Sequence, residues 1–455
     1  MNYVAERRRP MPQAHFATDR LTLPWPALED AHSKAAIILP WLAMVAILLL
    51  AALPDFLHRP DMPIGRINAL SDIPLVALVT PLDLVFSRLV AETIATLAVP
   101  FAQLLIALAL VRGTLRCLEF TGAAANIGLL IVPLLPIAVA VFAPTHSGSH
   151  GWEALCVLAI LRLLVDRRAV VAKAALAGAV AGLLVSFSLA GFVVATAAAG
   201  LLALLYLRDG DARCLAAYAA ALAIAASVVY AATQPLANWS LPRVDWISWP
   251  HLAGCWAAAS AAIMLSMLSR PAPPIVRVGG IAIVACAACA IPLALFGQAM
   301  LRPLTASSLL IDSGSGWHDA IGMALATLVL WLAGVTTRWR QLSRSGNPRG
   351  WLAVVVVSGV AVLLALVTYR AALFAQLLAI PLFALLLRDA LRVASRMGSA
   401  PLRVSGIALA LFVLTPTGGS VIGGLASSLA QGRAITWPAP VSQAASSIAT
   451  IVQRA

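Results

Sequence analysis

A chain of 455 residues, 62% of them hydrophobic and 11% charged, carries too few charges to clothe a water-soluble globule of that length. Two or three soluble domains would fit the length, but no polar stretch is long enough to fold separately, so one helical bundle in lipid is expected. The net charge of +13 reads as Lys and Arg gathered in cytoplasmic loops. No nucleic-acid partner is expected, because no basic segment is interleaved with aromatic residues.

Residues 1–34 place Arg7, Arg8 and Arg9 before a long mixed segment, which is not the pattern of a signal peptide. They are expected to form a cytoplasmic tail ahead of an uncleaved first span. Apolar runs close to the ~20 residues that cross ~30 Å of hydrocarbon then follow at about 35–54, 89–111, 122–143, 153–165, 169–188, 190–207, 215–233, 251–268, 278–297, 318–337, 351–369, 371–388 and 405–423. The expected fold is therefore all-α, a polytopic transmembrane bundle of about thirteen spans over 35–423. The run at 153–165 is short for a span. Residues 69–81, ALSDIPLVALVTP, are apolar but short and broken by Pro, and are expected as a helix or re-entrant piece on the membrane surface. A periplasmic tail is expected over 424–455.

Charge tests this threading. Alternating spans put Arg112, Arg116, Arg162, Arg167, Arg168, Lys173, Arg208, Arg213, Arg270, Arg277, Arg338, Arg340, Arg344, Arg349, Arg388, Arg392, Arg396 and Arg403 on the side of the N-terminal Arg7, Arg8, Arg9, Arg20 and Lys34. That is 23 of 31 basic residues, and by the positive-inside rule that side is cytoplasmic. The longer loops, rich in Pro, Ser, Gly and Trp, fall on the other side. Trp239, Trp246, Trp249 and Trp256 suit a membrane–water boundary there. The six cysteines show no disulfide or zinc-site spacing and read as small core or lipid-facing residues.

Ionisable residues on the outer side are the candidates for chemistry, since such groups are expensive near a bilayer unless they have work to do. The segment PDFLHRPD after the first span holds Asp55, His58, Arg59 and Asp61. Two carboxylates flanking a histidine can hold a divalent cation or take a proton from a sugar hydroxyl; a loop avoiding the bilayer is the alternative. The run APTHSGSHGWE holds His146, His150, Trp152 and Glu153, residue types that bind phosphate, join a metal site or stack on a sugar; a wet turn with an interfacial Trp is the alternative. Glu92 and Glu153 can equally be helix-start carboxylates, which a helix N-terminus favours by ~0.3–1 kcal/mol. Nucleotide-binding, Rossmann and common hydrolase motifs are missing from the sequence.

Three stretches together resemble the bacterial GT-C integral membrane glycosyltransferases. They are MPIGRINALSDIPLVALVTPLDL…AETIATLAVP at 62–100, SGSHGWEAL at 147–155, and the succession DRRAVVAKAALAG, FSLAGF and LRDGDAR. The resemblance covers about 55–260, the GT-C-like core. It implies an enzyme that takes sugar from a polyprenyl-phosphate-linked donor on the outer face. Asp72 matches the acid of the family's Asp-x-Pro segment, His150 its turn histidine and Glu92 its helix-start acid. The family's acidic motif after the first span falls to Asp55 and Asp61 as catalytic residues. His58, Arg59, Arg66, Asp72, Glu92, His146, His150 and Trp152 are the expected substrate-binding set, with magnesium or manganese as the expected cofactor. The implied setting is a bacterial inner membrane, with envelope or exopolysaccharide synthesis as the pathway and polysaccharide-assembly proteins as partners. A polymerase or ligase using Arg243, His251, Arg302 and His318, or a non-enzymatic glycolipid transport or assembly subunit, are the competing readings.

Overall fold

A computed structural model describes residues 73–120, 122–135, 149–234, 236–243, 247–268, 273–297, 317–366 and 369–416, with Ala138, Val141, Phe142, Gly418 and Val421 besides. Among them every element is helical. In lipid, each backbone N–H and C=O must find a partner within its own segment, and the α-helix supplies one. In chain order the helices are α1 (Ile73–Leu82), α2 (Arg88–Cys117), α3 (Gly122–Ile131), α4 (Ser149–Val165), α5 (Val170–Phe187), α6 (Gly191–Asp209), α7 (Arg213–Thr233), α8 (Trp249–Leu268), α9 (Pro274–Phe296), α10 (Trp317–Arg344), α11 (Pro348–Ala365), α12 (Tyr369–Ser395) and α13 (Ala400–Val413).

Every expected apolar run from the second onward carries one of these helices; the run at 35–54 lies outside the described residues. Among the described residues eight helices are long and apolar enough to cross a membrane: α2, α5, α6, α7, α8, α9, α11 and α12. Shorter apolar segments occur in α1, α3, α10 and α13. The short apolar piece read at 69–81 is helix α1, which packs on α2 and buries only Leu75.

The core forms around α12. Its residues Ala371–Leu385 are buried on all sides, as a helix that is apolar all round should be. It packs against α3, α4, α10, α11 and α13. A second unit joins α5 tightly to α7. Gly178 and Gly182 make this possible: a Cβ on either would run into the backbone carbonyl of Tyr218 or Leu222. Small residues four apart are how membrane helices approach closely when no hydrophobic drive separates lipid from protein. Tyr218 then donates from its hydroxyl to the Ala195 carbonyl of α6 at 2.9 Å.

Contacts at the basic end fix the alternation of helix directions. Asn347, 1% exposed, caps α11 by accepting from the Gly350 N–H at 2.9 Å. Its Nδ2 donates to Cys117 O and Val165 O, each at 2.9 Å. One side chain thus gathers the C-termini of α2 and α4 with the N-terminus of α11. Nearby, Arg277 of α9 donates to Leu207 O of α6 at 2.9 Å, and Arg349 of α11 pairs with Asp209 of α6 at 2.8 Å.

Candidate functional site

The opposite end of the bundle carries the first turns of α2, α4, α6 and α8 and the last turn of α9. Here α4 brings a polar group together. The sequence SHGWE enters the helix at Ser149, four residues ahead of the glutamate that was expected to start it. Helical spacing sets residues i, i+3 and i+4 on one face. Ser149 accordingly donates from Oγ to Glu153 Oε1 at 3.0 Å, and His150 Nδ1 stands 3.5 Å from Glu153 Oε2. The Glu153 side chain is 1% exposed, while that of His150 is 47% exposed. A buried carboxylate is therefore held by a hydroxyl and by an imidazole that faces outward.

The wall beneath this turn is α2. A Cβ at Gly151 would collide with the side-chain amide of Gln103, so glycine is needed for the two helices to meet. Gln103 is 2% exposed, and among the described residues its amide has no hydrogen-bond partner. Gln103 stands fifteen residues into α2, so about 22 Å of that helix extends beyond the α4 turn at ~1.5 Å per residue. The polar group is thus recessed between helices, the setting in which ionisable side chains are tolerated at membrane depth.

The expected site residues separate into two places and a remainder. Glu92 lies on the projecting part of α2, in an exposed pair with Arg88 at 2.9 Å. It is eleven residues from Gln103, about 16 Å along the axis, so the structure does not bring it to His150. Trp152 is half-buried and packs against the hydrophobic core rather than standing free as a stacking platform. Asp55, His58, Arg59, Asp61, Arg66, Asp72 and His146 lie outside the described residues. Of the competing set, the Arg243 main chain and the His251 ring both meet Ser248, without the Arg243 guanidinium taking part in those bonds. Arg302 and the side chain of His318 lie outside the description.

Ser149 and Gln103 are not among the expected candidates, and Glu153 is named with the run APTHSGSHGWE but not in the expected substrate-binding set. Two of these were legible, because SHGWE places a hydroxyl, an imidazole and a carboxylate at one helical address. Gln103 had a fainter signal as a lone amide inside the apolar run 89–111. Among the described residues no three of His, Cys, Asp or Glu gather. Glu153 and His150 offer two donors, and magnesium held by so few protein groups would fill its other positions with water and substrate phosphate.

No protein-family model matches the sequence, and no curated protein does. Solved structures do match in fold. The crystal structure of the Archaeoglobus fulgidus oligosaccharyltransferase in the apo form superposes with a TM-score of 0.52 at 15% identity, over 84% of this chain and 52% of that one. The same organism's oligosaccharyltransferase AglB, in complex with an inhibitory peptide and a dolichol-phosphate, gives 0.51 at 15% identity, over 88% and 52%. The chain spans about half the length of these proteins. Its bundle has the GT-C fold.

Proposed function

We propose that this chain is a GT-C membrane glycosyltransferase, which transfers sugar or oligosaccharide from a polyprenyl-phosphate-linked donor at the end of the bundle opposite the basic loops. The finer setting proposed is envelope or exopolysaccharide synthesis at a bacterial inner membrane. One observation carries the reading. The buried carboxylate, outward imidazole and hydroxyl of α4 are recessed at that end of a bundle sharing its fold with oligosaccharyltransferases, one of which binds a dolichol-phosphate.

The chemistry needs a base for the acceptor hydroxyl and a donor for the leaving phosphate. Asp55 or Asp61 takes the acceptor proton as the new bond to the sugar's anomeric carbon forms. The bond from that carbon to the phosphate oxygen breaks, and its electron pair leaves with the phosphate. His150, with Arg59 and Arg66, hydrogen-bonds that developing charge. Glu153 orients His150 as a positioning residue, in the way a carboxylate fixes an imidazole's tautomer. Magnesium or manganese at this place would draw its remaining donors from Asp55, Asp61 and His146, and would offset phosphate charge.

The test is mass analysis of lipid-linked intermediates in cells carrying Asp55→Asn, Asp61→Asn, Glu153→Gln or wild-type chain at equal membrane abundance. Intermediates one sugar short in the carboxylate variants are expected. Full-length intermediates in all three variants would overturn the assignment. Complete but unpolymerised repeat units would point instead to a polymerase.

A further inference from the structure

His251 is the other polar group built into this end of the bundle. It stands in the first turn of α8 and is 5% exposed. Phe192 of α6 stacks near it with ring centroids 5.8 Å apart, and Phe296 of α9 lies at 5.1 Å. With aromatic rings packed about the imidazole, approach is confined to the ring edge.

The Nδ1 edge is taken. The Ser248 N–H donates to Nδ1 at 3.3 Å, with Ser248 Oγ 3.1 Å away. That hydroxyl already donates to Arg243 O at 2.8 Å and accepts from the Arg243 N–H at 3.2 Å. Its proton is therefore committed elsewhere, and Nδ1 is an acceptor. A neutral imidazole with Nδ1 as acceptor carries its proton on Nε2. Among the described residues nothing accepts from Nε2. Nε2 is not one of the fully buried polar atoms left without a partner, so this donor reaches the surface of the bundle and can be met from outside.

We propose that His251 is the donor of a second polar subsite on this side, between the outer ends of α6, α8 and α9, and that it takes a hydroxyl oxygen of a sugar. The chemistry of the site selects the ligand class. A single N–H on a ring walled by Phe192 and Phe296 suits a neutral oxygen in an apolar surround. An anionic phosphate would lose its water for one neutral donor, an exchange that is unfavourable. Exposed Trp239 and Trp249 lie at the same end and offer flat apolar faces to the carbon-bound hydrogens of a sugar ring. The inference stands on its own geometry and does not require α4 to be a catalytic site.

The test uses the full chain in lipid nanodiscs with nitrogen-15-labelled histidines, the His251 signal being assigned by loss in His251→Phe. That variant keeps an aromatic ring in the stack and removes the donor. Titration with maltose is expected to shift the wild-type Nε2 resonance, in ester-linked and ether-linked lipid alike. Retained maltose binding, read by tryptophan fluorescence, is expected to weaken about tenfold in His251→Phe, as for one lost hydrogen bond. His251→Gln, which restores an N–H donor, should recover most of it. A resonance indifferent to maltose in the folded protein would overturn the proposal. So would a shift produced only by inorganic phosphate, or one produced only by exchanging ester for ether lipid, which would make a lipid carbonyl the occupant.

Discussion

Gln376 is the residue least at home in its surroundings. It lies wholly inside α12, the most enclosed helix, and neither atom of its amide has a hydrogen-bond partner. An unsatisfied buried polar group costs about 1–3 kcal/mol, whereas an apolar side chain of similar shape does not. Gln376→Leu is therefore expected to stabilise the detergent-solubilised protein by roughly that amount, read as a higher midpoint of thermal unfolding. A lower midpoint would show that the amide is paired in the native membrane. Asp166, between α4 and α5, is the opposite case. Burial pushes its carboxyl upward, but bonds from Lys173 at 2.5 Å, from the Arg168 N–H at 3.0 Å and from Arg162 at 3.1 Å outweigh this and hold it well below the usual range. A carboxyl lowered in the folded state stabilises above its unfolded value of about 3.9 and loses that contribution as pH falls through the folded value. Wild type should accordingly exceed Asp166→Asn in stability at neutral pH, and the gap should narrow on acidification below about pH 4.

Between helices, backbone proximity and end-capping decide more than hydrophobicity does. Gly178→Leu would drive a side chain into the Tyr218 carbonyl of α7. An overpacked contact costs about 1–3 kcal/mol or more, and the expected readout is faster proteolysis between α5 and α7 with the α4 end unaffected. Asn347→Ala would delete three hydrogen bonds that tie the ends of α2, α4 and α11. At about 1 kcal/mol each, some 3 kcal/mol of stability should go, measured by denaturant unfolding in mild detergent. A change below about 0.5 kcal/mol would mean that the knot is not formed in lipid. The short fourth run is also explained at this scale. Helix α4 has only 17 residues because it begins beside the middle of α2 rather than at its start. Its shortness is what recesses Ser149, His150 and Glu153.

Taken whole, the molecule is a two-ended bundle. Asn347, Arg277 and Arg349 fasten helix termini at the basic end, while Glu153 and His251 are held at the other. On a background with the six cysteines replaced, Ser240→Cys should react with a membrane-impermeant maleimide in intact cells. Gly398→Cys, in the turn between α12 and α13 where a side chain meets nothing within 4 Å, should react only after permeabilisation. Equal labelling of both before permeabilisation would contradict the sidedness.

Hydrophobic run length and the alternation of Arg and Lys were sufficient, without coordinates, for the helical membrane class, the order of its helices and their directions. Those properties follow from the energetics of transfer between water and lipid, which each segment meets on its own. The spacing of SHGWE likewise made its i, i+4 geometry readable, because that geometry is local to one helix. The sequence could not reveal that Gln103 lies under Gly151 or that Phe192 and Phe296 enclose His251. Nor could it show that Glu92, despite its family-like position, stays about 16 Å along α2 from the α4 turn. Such pairings join segments far apart in the chain. They depend on where glycine lets two helices approach and on which polar cap closes their ends, and only the packed bundle decides that.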